Sequence, residues 1–268
     1  EVNLDITRKR LFTTPSSVEM ISKGRKPMVN TKWTTVVLAI LFLASFMGGD
    51  RTVAGQVGNG EVVVADFSGI ESGSFPPGWK AVWARDTLAE EIYSVVKEDD
   101  NAYLKAVADN SDILIAKEFT YDLKVYRFLK WSWRAEVLPE GADEREKDTG
   151  DSGAAVYVIF PGRFRPENIK YVWSSCLPVG TTSESPYNSK TKIVVLRNRS
   201  TSLGKWVSEE VNVYEDYKRL FEGEPGEVQA IAIMSDSNDT ESKAVAHYDD
   251  IRISKSGAEQ KAEERPSG

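Results

Sequence analysis

Residues 131–137 read Trp-Ser-Trp-Arg-Ala-Glu-Val, and residues 154–160 read Ala-Ala-Val-Tyr-Val-Ile-Phe. The first run alternates apolar with polar side chains. Successive residues of a strand point to opposite faces, so this is a strand with one face in a core. The second run is apolar almost throughout, as a central strand covered on both sides would be. Two strands of such different character fit a layered β protein better than a lone hairpin sheet.

Outward from this pair the same signals recur. Glu61–Phe67, Glu91–Glu98, Ala102–Ala108, Lys117–Phe119, Lys170–Ser174, Lys192–Arg197, Trp206–Val213, Val228–Ser235 and Ala244–Ser254 are short alternating or β-branched runs. They are separated by turn residues such as Asp99-Asp100-Asn101 and the Gly-, Ser- and Pro-rich stretch Ser68–Gly78. Only Glu215–Phe221 has apolar residues at helical spacing. The prediction is an all-β fold, an antiparallel β-sandwich or jelly roll with one short helix. Its domain spans 61–256. Residues 139–152 form a charged loop, and 257–268 are a disordered tail by composition.

Upstream, residues 36–47 (Val-Val-Leu-Ala-Ile-Leu-Phe-Leu-Ala-Ser-Phe-Met) are apolar without a break. A run of this length suits the core of an export signal; a spanning helix needs about 20 residues. Lys32 precedes it and Thr52-Val53-Ala54 supplies small residues for cleavage. The expectation is an upstream disordered extension over 1–27, a signal peptide over 28–54 and a periplasmic or secreted product. No stable membrane span would remain after cleavage; an uncleaved anchor is the alternative.

Charge narrows the partners. Of 34 Lys and Arg and 41 Asp and Glu, residues 1–54 hold 8 and 4, so the remainder carries 26 basic and 37 acidic residues, a net of −11. An acidic body repels phosphate backbones, which argues against nucleic acid. The single cysteine, Cys176, excludes an internal disulfide, and is expected as a small buried residue. His247 is the only histidine, which excludes zinc sites built on two or three histidines.

Several segments in this order resemble an uncharacterised bacterial family, domain-of-unknown-function family 3047. They are Pro77-Gly78-Trp79, Trp131-Ser132-Trp133-Arg134, Asp148–Gly153 running into Val156–Phe160, and Tyr171-Val172-Trp173. Trp206 through Asn212, Asp216-Tyr217, the run Ala232–Thr240 and Ala246–Ile251 complete the set. The resemblance covers about residues 66–253 and implies an exported β-sandwich similar to galactose-binding and carbohydrate-binding-module jelly rolls.

Candidate site residues follow. Trp131 and Trp133 share one strand face, and Tyr171 and Trp173 another, so these rings are either a sugar-stacking platform or core filling. Arg134, on the opposite face from the tryptophans, is a candidate partner for a carboxylate in a groove, Asp236 among them. Trp79, beside a Pro-Pro-Gly turn, is expected outside the regular strands. Ser235–Thr240 (Ser-Asp-Ser-Asn-Asp-Thr) places Asp236 and Asp239 in an oxygen-rich turn, either a solvated hairpin or a ligand site. Asp66, Asp249 and Asp250 stand near the first and last strands, where a structural calcium would staple the termini. His247 and Tyr248, with Arg134 and Asn238, are of the types a polysaccharide lyase needs, and two carboxylates would serve a glycoside hydrolase. No spaced acid pair supports either. The reading is a non-catalytic module that binds a glycan or a cell-envelope protein, against a jelly-roll lyase or hydrolase and a structural envelope subunit.

Overall fold

Alternation along each strand produces two packed sheets. The structure, a computed structural model, describes residues 57, 58 and 60–257. The extension over 1–27, the signal over 28–54 and the tail beyond residue 257 lie outside the described residues. In chain order the elements are β1 (Val57–Gly58), β2 (Glu61–Ala65), β3 (Trp79–Ala81), α1 (Asp86–Ile92), β4 (Tyr93–Glu98), β5 (Asn101–Asp109), β6 (Asp112–Asp122) and β7 (Phe128–Val137). They continue with β8 (Ala154–Phe160), β9 (Glu167–Ser174), β10 (Thr182–Glu184), β11 (Thr191–Asn198), β12 (Val207–Asn212), α2 (Val213–Phe221), β13 (Glu227–Asp236) and β14 (Lys243–Ser254).

The first sheet is organised by β14. On one edge β14 pairs with β7, from Val245↔Val137 to Ser254↔Phe128, and β12 extends beyond β7. On the other edge β5 takes Lys243–Tyr248 and β2 takes Ile251–Ser254, with β4 outside β5 and β1 outside β2. The early strand β2 and the late strand β14 are therefore neighbours. The second sheet runs β10-β11-β9-β8-β13-β6-β3. Its pairs are antiparallel except β11 with β9, which is parallel, so the sandwich is mixed at that edge.

The inner faces meet in one apolar core. Trp131, Trp133, Tyr171 and Trp173 are essentially inaccessible. Trp131 lies 5.7 Å from Tyr171 and Trp133 lies 5.6 Å from Trp173, ring centre to ring centre, so each contact bridges the two sheets. Burying a ring of this size removes about 150–250 Å² from water. Three of the four polar ends are satisfied at the rim: Trp133 Nε1 donates to Glu209, Trp173 Nε1 to the Asn198 carbonyl and the Tyr171 hydroxyl to Asp216, while Trp131 Nε1 is buried without a partner.

Four expectations are corrected. Among the described residues there are two helices, because Glu91 and Ile92 end α1 instead of opening a strand. The candidate strand Lys117–Phe119 is the middle of the 11-residue β6. Trp79 opens β3 and is buried against Phe67, their centroids 6.2 Å apart. Cys176 is exposed.

Candidate functional site

The outward face of the second sheet is apolar as well. Ala116, Ala232, Ala155, Tyr157, Val172, Ile193 and Val195 form a second cluster there, with Trp83, Leu114 and Met234 packed against it. This explains why residues 154–160 lack alternation: β8 has core on both sides. Into this face are set charged groups that a surface strand would leave in water. Lys170 on β9, Asp236 at the end of β13 and Glu144 in the β7–β8 loop are all more than nine-tenths buried.

Loops build the cover. The β7–β8 loop folds over the end of β9, held by Ser174 Oγ donating to Glu144 at 2.6 Å and Ser175 Oγ donating to the Pro139 carbonyl at 2.6 Å. The β3–α1 segment is pinned by Arg85, which pairs with Asp112 at 3.3 Å, and Asp112 stands opposite Asp236 in the β6–β13 register. Just before Arg85, Trp83 and Ala84 both have left-handed backbones, with φ of 67° and 52°. Left-handed non-glycine residues cost on the order of 1–3 kcal/mol each and persist where surroundings over-determine them.

At the end of β13, Asp151 is fully buried and accepts from the backbone N–H groups of Asp239 and Thr240 and from the Thr240 hydroxyl. The Tyr187 hydroxyl donates to Asp239 and to the Lys147 carbonyl. Tyr187 also explains Gly150: a Cβ there would lie 2.8 Å from the tyrosine ring.

Against this satisfied frame stand four buried polar atoms without a hydrogen-bond partner: Trp83 Nε1, Glu144 Oε1, Ser152 Oγ and Asp236 Oδ1. Buried polar groups are paired in the great majority of cases, so four orphans on one side of one sheet call for an explanation. Among the described residues no carboxylate forms an ion pair with Lys170; its ammonium lies 5.6 Å from the Tyr157 ring centre. Burial pushes the Asp236 carboxyl well above the usual range, and the charge of Asp151 adds to it. Burial likewise raises Glu144. For Lys170 burial presses downward, but Tyr157, Asp236 and Glu144 outweigh it and hold the ammonium charged.

The residues singled out in the sequence separate accordingly. Asp236 and Asp239 belong to this face. Trp131, Trp133, Tyr171 and Trp173 do not: they have no exposed ring to stack on, so the platform reading gives way to core filling. Arg134 and His247 lie on the outward face of the first sheet and never meet Asp236. There Arg134 Nε donates to His247 Nδ1 at 2.8 Å, its guanidinium engages Glu98, Glu136 and Tyr103, and it stacks 5.0 Å from the Trp206 ring centre. Its Nε and one terminal nitrogen are thus committed within the protein. Tyr248 is buried between the sheets, bonded to Ser235 and the Met234 carbonyl. The four residue types of a lyase are thus not assembled.

Asp66, Asp249 and Asp250, the residues expected to hold calcium, each have a partner within the chain. Asp66 accepts from Ser68, Asp249 from Asn101 and Asp250 from Arg252. Among the described residues no group of three or more His, Cys, Asp or Glu side chains is arranged to hold a metal ion.

The family described as protein of unknown function (DUF3047) matches residues 77–252. The chain belongs to that family. The matched segment of this DUF3047 chain contains Trp83, Glu144, Lys170, Tyr187 and Asp236. No curated protein matches the sequence. Among solved structures, a family 27 carbohydrate-binding module of Caldicellulosiruptor saccharolyticus in complex with mannohexaose is similar at a TM-score of 0.39 and 12% identity, over 76% of this chain and 100% of that one. The family 11 carbohydrate-binding module of a cellulosomal cellulase of Clostridium thermocellum gives 0.36 and 10%, over 75% and 97%. The K2 cleaved adhesin domain of Lys-gingipain gives 0.38 and 11%, over 74% and 99%.

Trp83, Glu144, Tyr157, Lys170 and Tyr187 were not among the sequence candidates. Lys170 carried the one usable signal, a lysine inside the otherwise apolar run Ile169–Trp173.

Proposed function

We propose that the outward face of the second sheet binds a glycan without catalysis. The observation that carries this reading is the pairing of unsatisfied donors and acceptors in one place. Asp236 and Glu144 each hold an unpartnered oxygen and Trp83 Nε1 is an unpartnered donor, beside the buried ammonium of Lys170, which meets Tyr157 and forms no ion pair among the described residues. Neighbouring hydroxyls on a sugar are both donors and acceptors, and satisfy such a set where a purely apolar or purely charged ligand does not.

Hydrolysis is the second reading, favoured by the raised Asp236 carboxyl, which suits a general acid. Its weakness is the partner. Asp151, the acid that acts most strongly on Asp236, is wholly buried and already accepts three hydrogen bonds from Asp239 and Thr240, a setting that fits a structural anchor better than a base or nucleophile. An envelope protein remains the alternative partner to a glycan.

Export to the periplasm or beyond is part of the same proposal. It is supported by the apolar run over 36–47, and no helix among the described residues is long and apolar enough to cross a membrane.

A glycan array probed with the full chain, with Lys170→Met and Asp236→Ala beside it, tests the reading. The expected result is retention of one sugar class by the wild type and at least a tenfold loss in each variant, with unchanged circular dichroism. Silence of the wild type on all glycans sinks the sugar reading. Release of free sugar from a bound oligosaccharide transfers the site to the hydrolase reading.

A further inference from the structure

We infer that Trp83 is the stacking platform of this site, displayed by a strained turn over the sheet face, and that the ligand is a pyranose laid flat against it. The inference rests on the glycan reading and names what that reading leaves open: which ring receives the apolar side of the sugar.

Among the described residues, five other tryptophans are committed inside the protein. Trp131, Trp133 and Trp173 are sealed in the core, and Trp79 is packed on Phe67. Trp206 stands on the other sheet beneath the guanidinium of Arg134. Trp83 remains as the tryptophan of the outward face, half-buried against the cluster that contains Tyr157, Met234 and three small residues, Ala116, Ala155 and Ala232.

Its backbone gives a second argument. Two successive non-glycine residues, Trp83 and Ala84, hold left-handed angles, and Arg85 immediately anchors to both the side chain and the carbonyl of Asp112. Val82 is fixed from the other side by its N–H donating to the Leu114 carbonyl at 2.9 Å. The turn is therefore clamped at both ends on β6 with the ring held between them. Strain kept in this way concentrates at ligand sites. The third argument is polar. The indole N–H has no partner, and the neighbouring strand register places the orphaned Asp236 across from the clamp residue Asp112. A pyranose with its C–H face on the indole directs its hydroxyls sideways, toward Asp236, Glu144 and Lys170.

The test is titration of the full chain with the oligosaccharide class that the array retains, read by tryptophan fluorescence and by calorimetry. Three variants are compared with wild type: Trp83→Ala, Trp83→Phe and Trp206→Ala. The inference expects Trp83→Ala to weaken binding more than tenfold, Trp83→Phe to retain part of the affinity but lose the fluorescence change, and Trp206→Ala to match wild type. Should Trp83→Ala fail to fold, Trp83→Phe decides alone, since a fluorescence change that persists in it assigns the response to another tryptophan and overturns the inference. Full-affinity binding by Trp83→Ala overturns it while leaving the glycan reading standing. Absence of any binding by the wild type overturns both.

Discussion

Arg134 Nε donates to His247 Nδ1 at 2.8 Å across the β7–β14 pair. Because Nδ1 accepts, the imidazole proton sits on Nε2, and the only histidine of the chain is locked as a neutral tautomer next to a permanent cation. Burial, with the charges of Arg134 and Lys105, lowers its pKa to about 4. The pair is a structural lock, and a base for catalysis would be held in reach of a ligand instead.

The lock has a pH signature. His247 binds its proton more readily in the unfolded chain, near 6.5, than in the folded one, so its contribution is complete above that value and is lost as pH falls through about 4. Asp249 runs the other way. Burial raises its carboxyl to about 6, so its contribution is present below its usual value near 3.8 and lost as pH rises through 6. Each shift corresponds to about 3 kcal/mol. Between pH 4 and 6 the two effects nearly cancel. Thermal melts should show His247→Gln losing stability as pH rises across that window and Asp249→Asn losing it as pH falls. Parallel curves for the two variants contradict this assignment.

Removing the guanidinium should act on stability alone. Arg134→Met strands Glu98 and Glu136 and frees the imidazole, a loss of about 1–3 kcal/mol with part of each acid still in water. Urea midpoints measure it. A matching loss of glycan affinity would place the first sheet in the site.

The core rings predict a steeper cost. Trp173→Ala empties space between the sheets and should cost about 3–5 kcal/mol, enough to unfold much of the population. Denaturant titration checks this, and a mild effect of under 1 kcal/mol would be incompatible with a fully enclosed ring.

Gly150→Ala pushes a methyl into the Tyr187 ring. Displacement of Tyr187 takes its hydroxyl from Asp239, so glycan affinity should fall while the melting temperature drops only a few degrees. Calorimetry on the variant decides whether the β7–β8 loop shapes the site.

A chelator should leave the melting temperature where it is. Asp66, Asp249 and Asp250 are each occupied by a partner of the chain itself. A drop of several degrees in differential scanning would show a cation elsewhere.

The sheet layout was legible because period-two alternation survives in segments such as Trp131–Val137, where only one face meets the core. It failed where neighbouring elements share one apolar run: Glu91–Glu98 hides the junction of α1 with β4. The site was half legible. Asp236 and Asp239 stand out in a turn, but a lysine in a strand normally reads as a solvated face, whereas Lys170 is buried on a sheet face over whose edge the loop carrying Glu144 folds. That cover depends on contacts such as Ser174 with Glu144, residues thirty positions apart, which no local pattern records.

The strand that joins β2, β5 and β7 is β14, the last of the described strands to leave the ribosome. Until it arrives, three strands of the first sheet have no common neighbour, and the aromatic layer beneath them has no lid. The first sheet therefore closes only once residues 243–254 are in place, whatever the order in which its other strands pair.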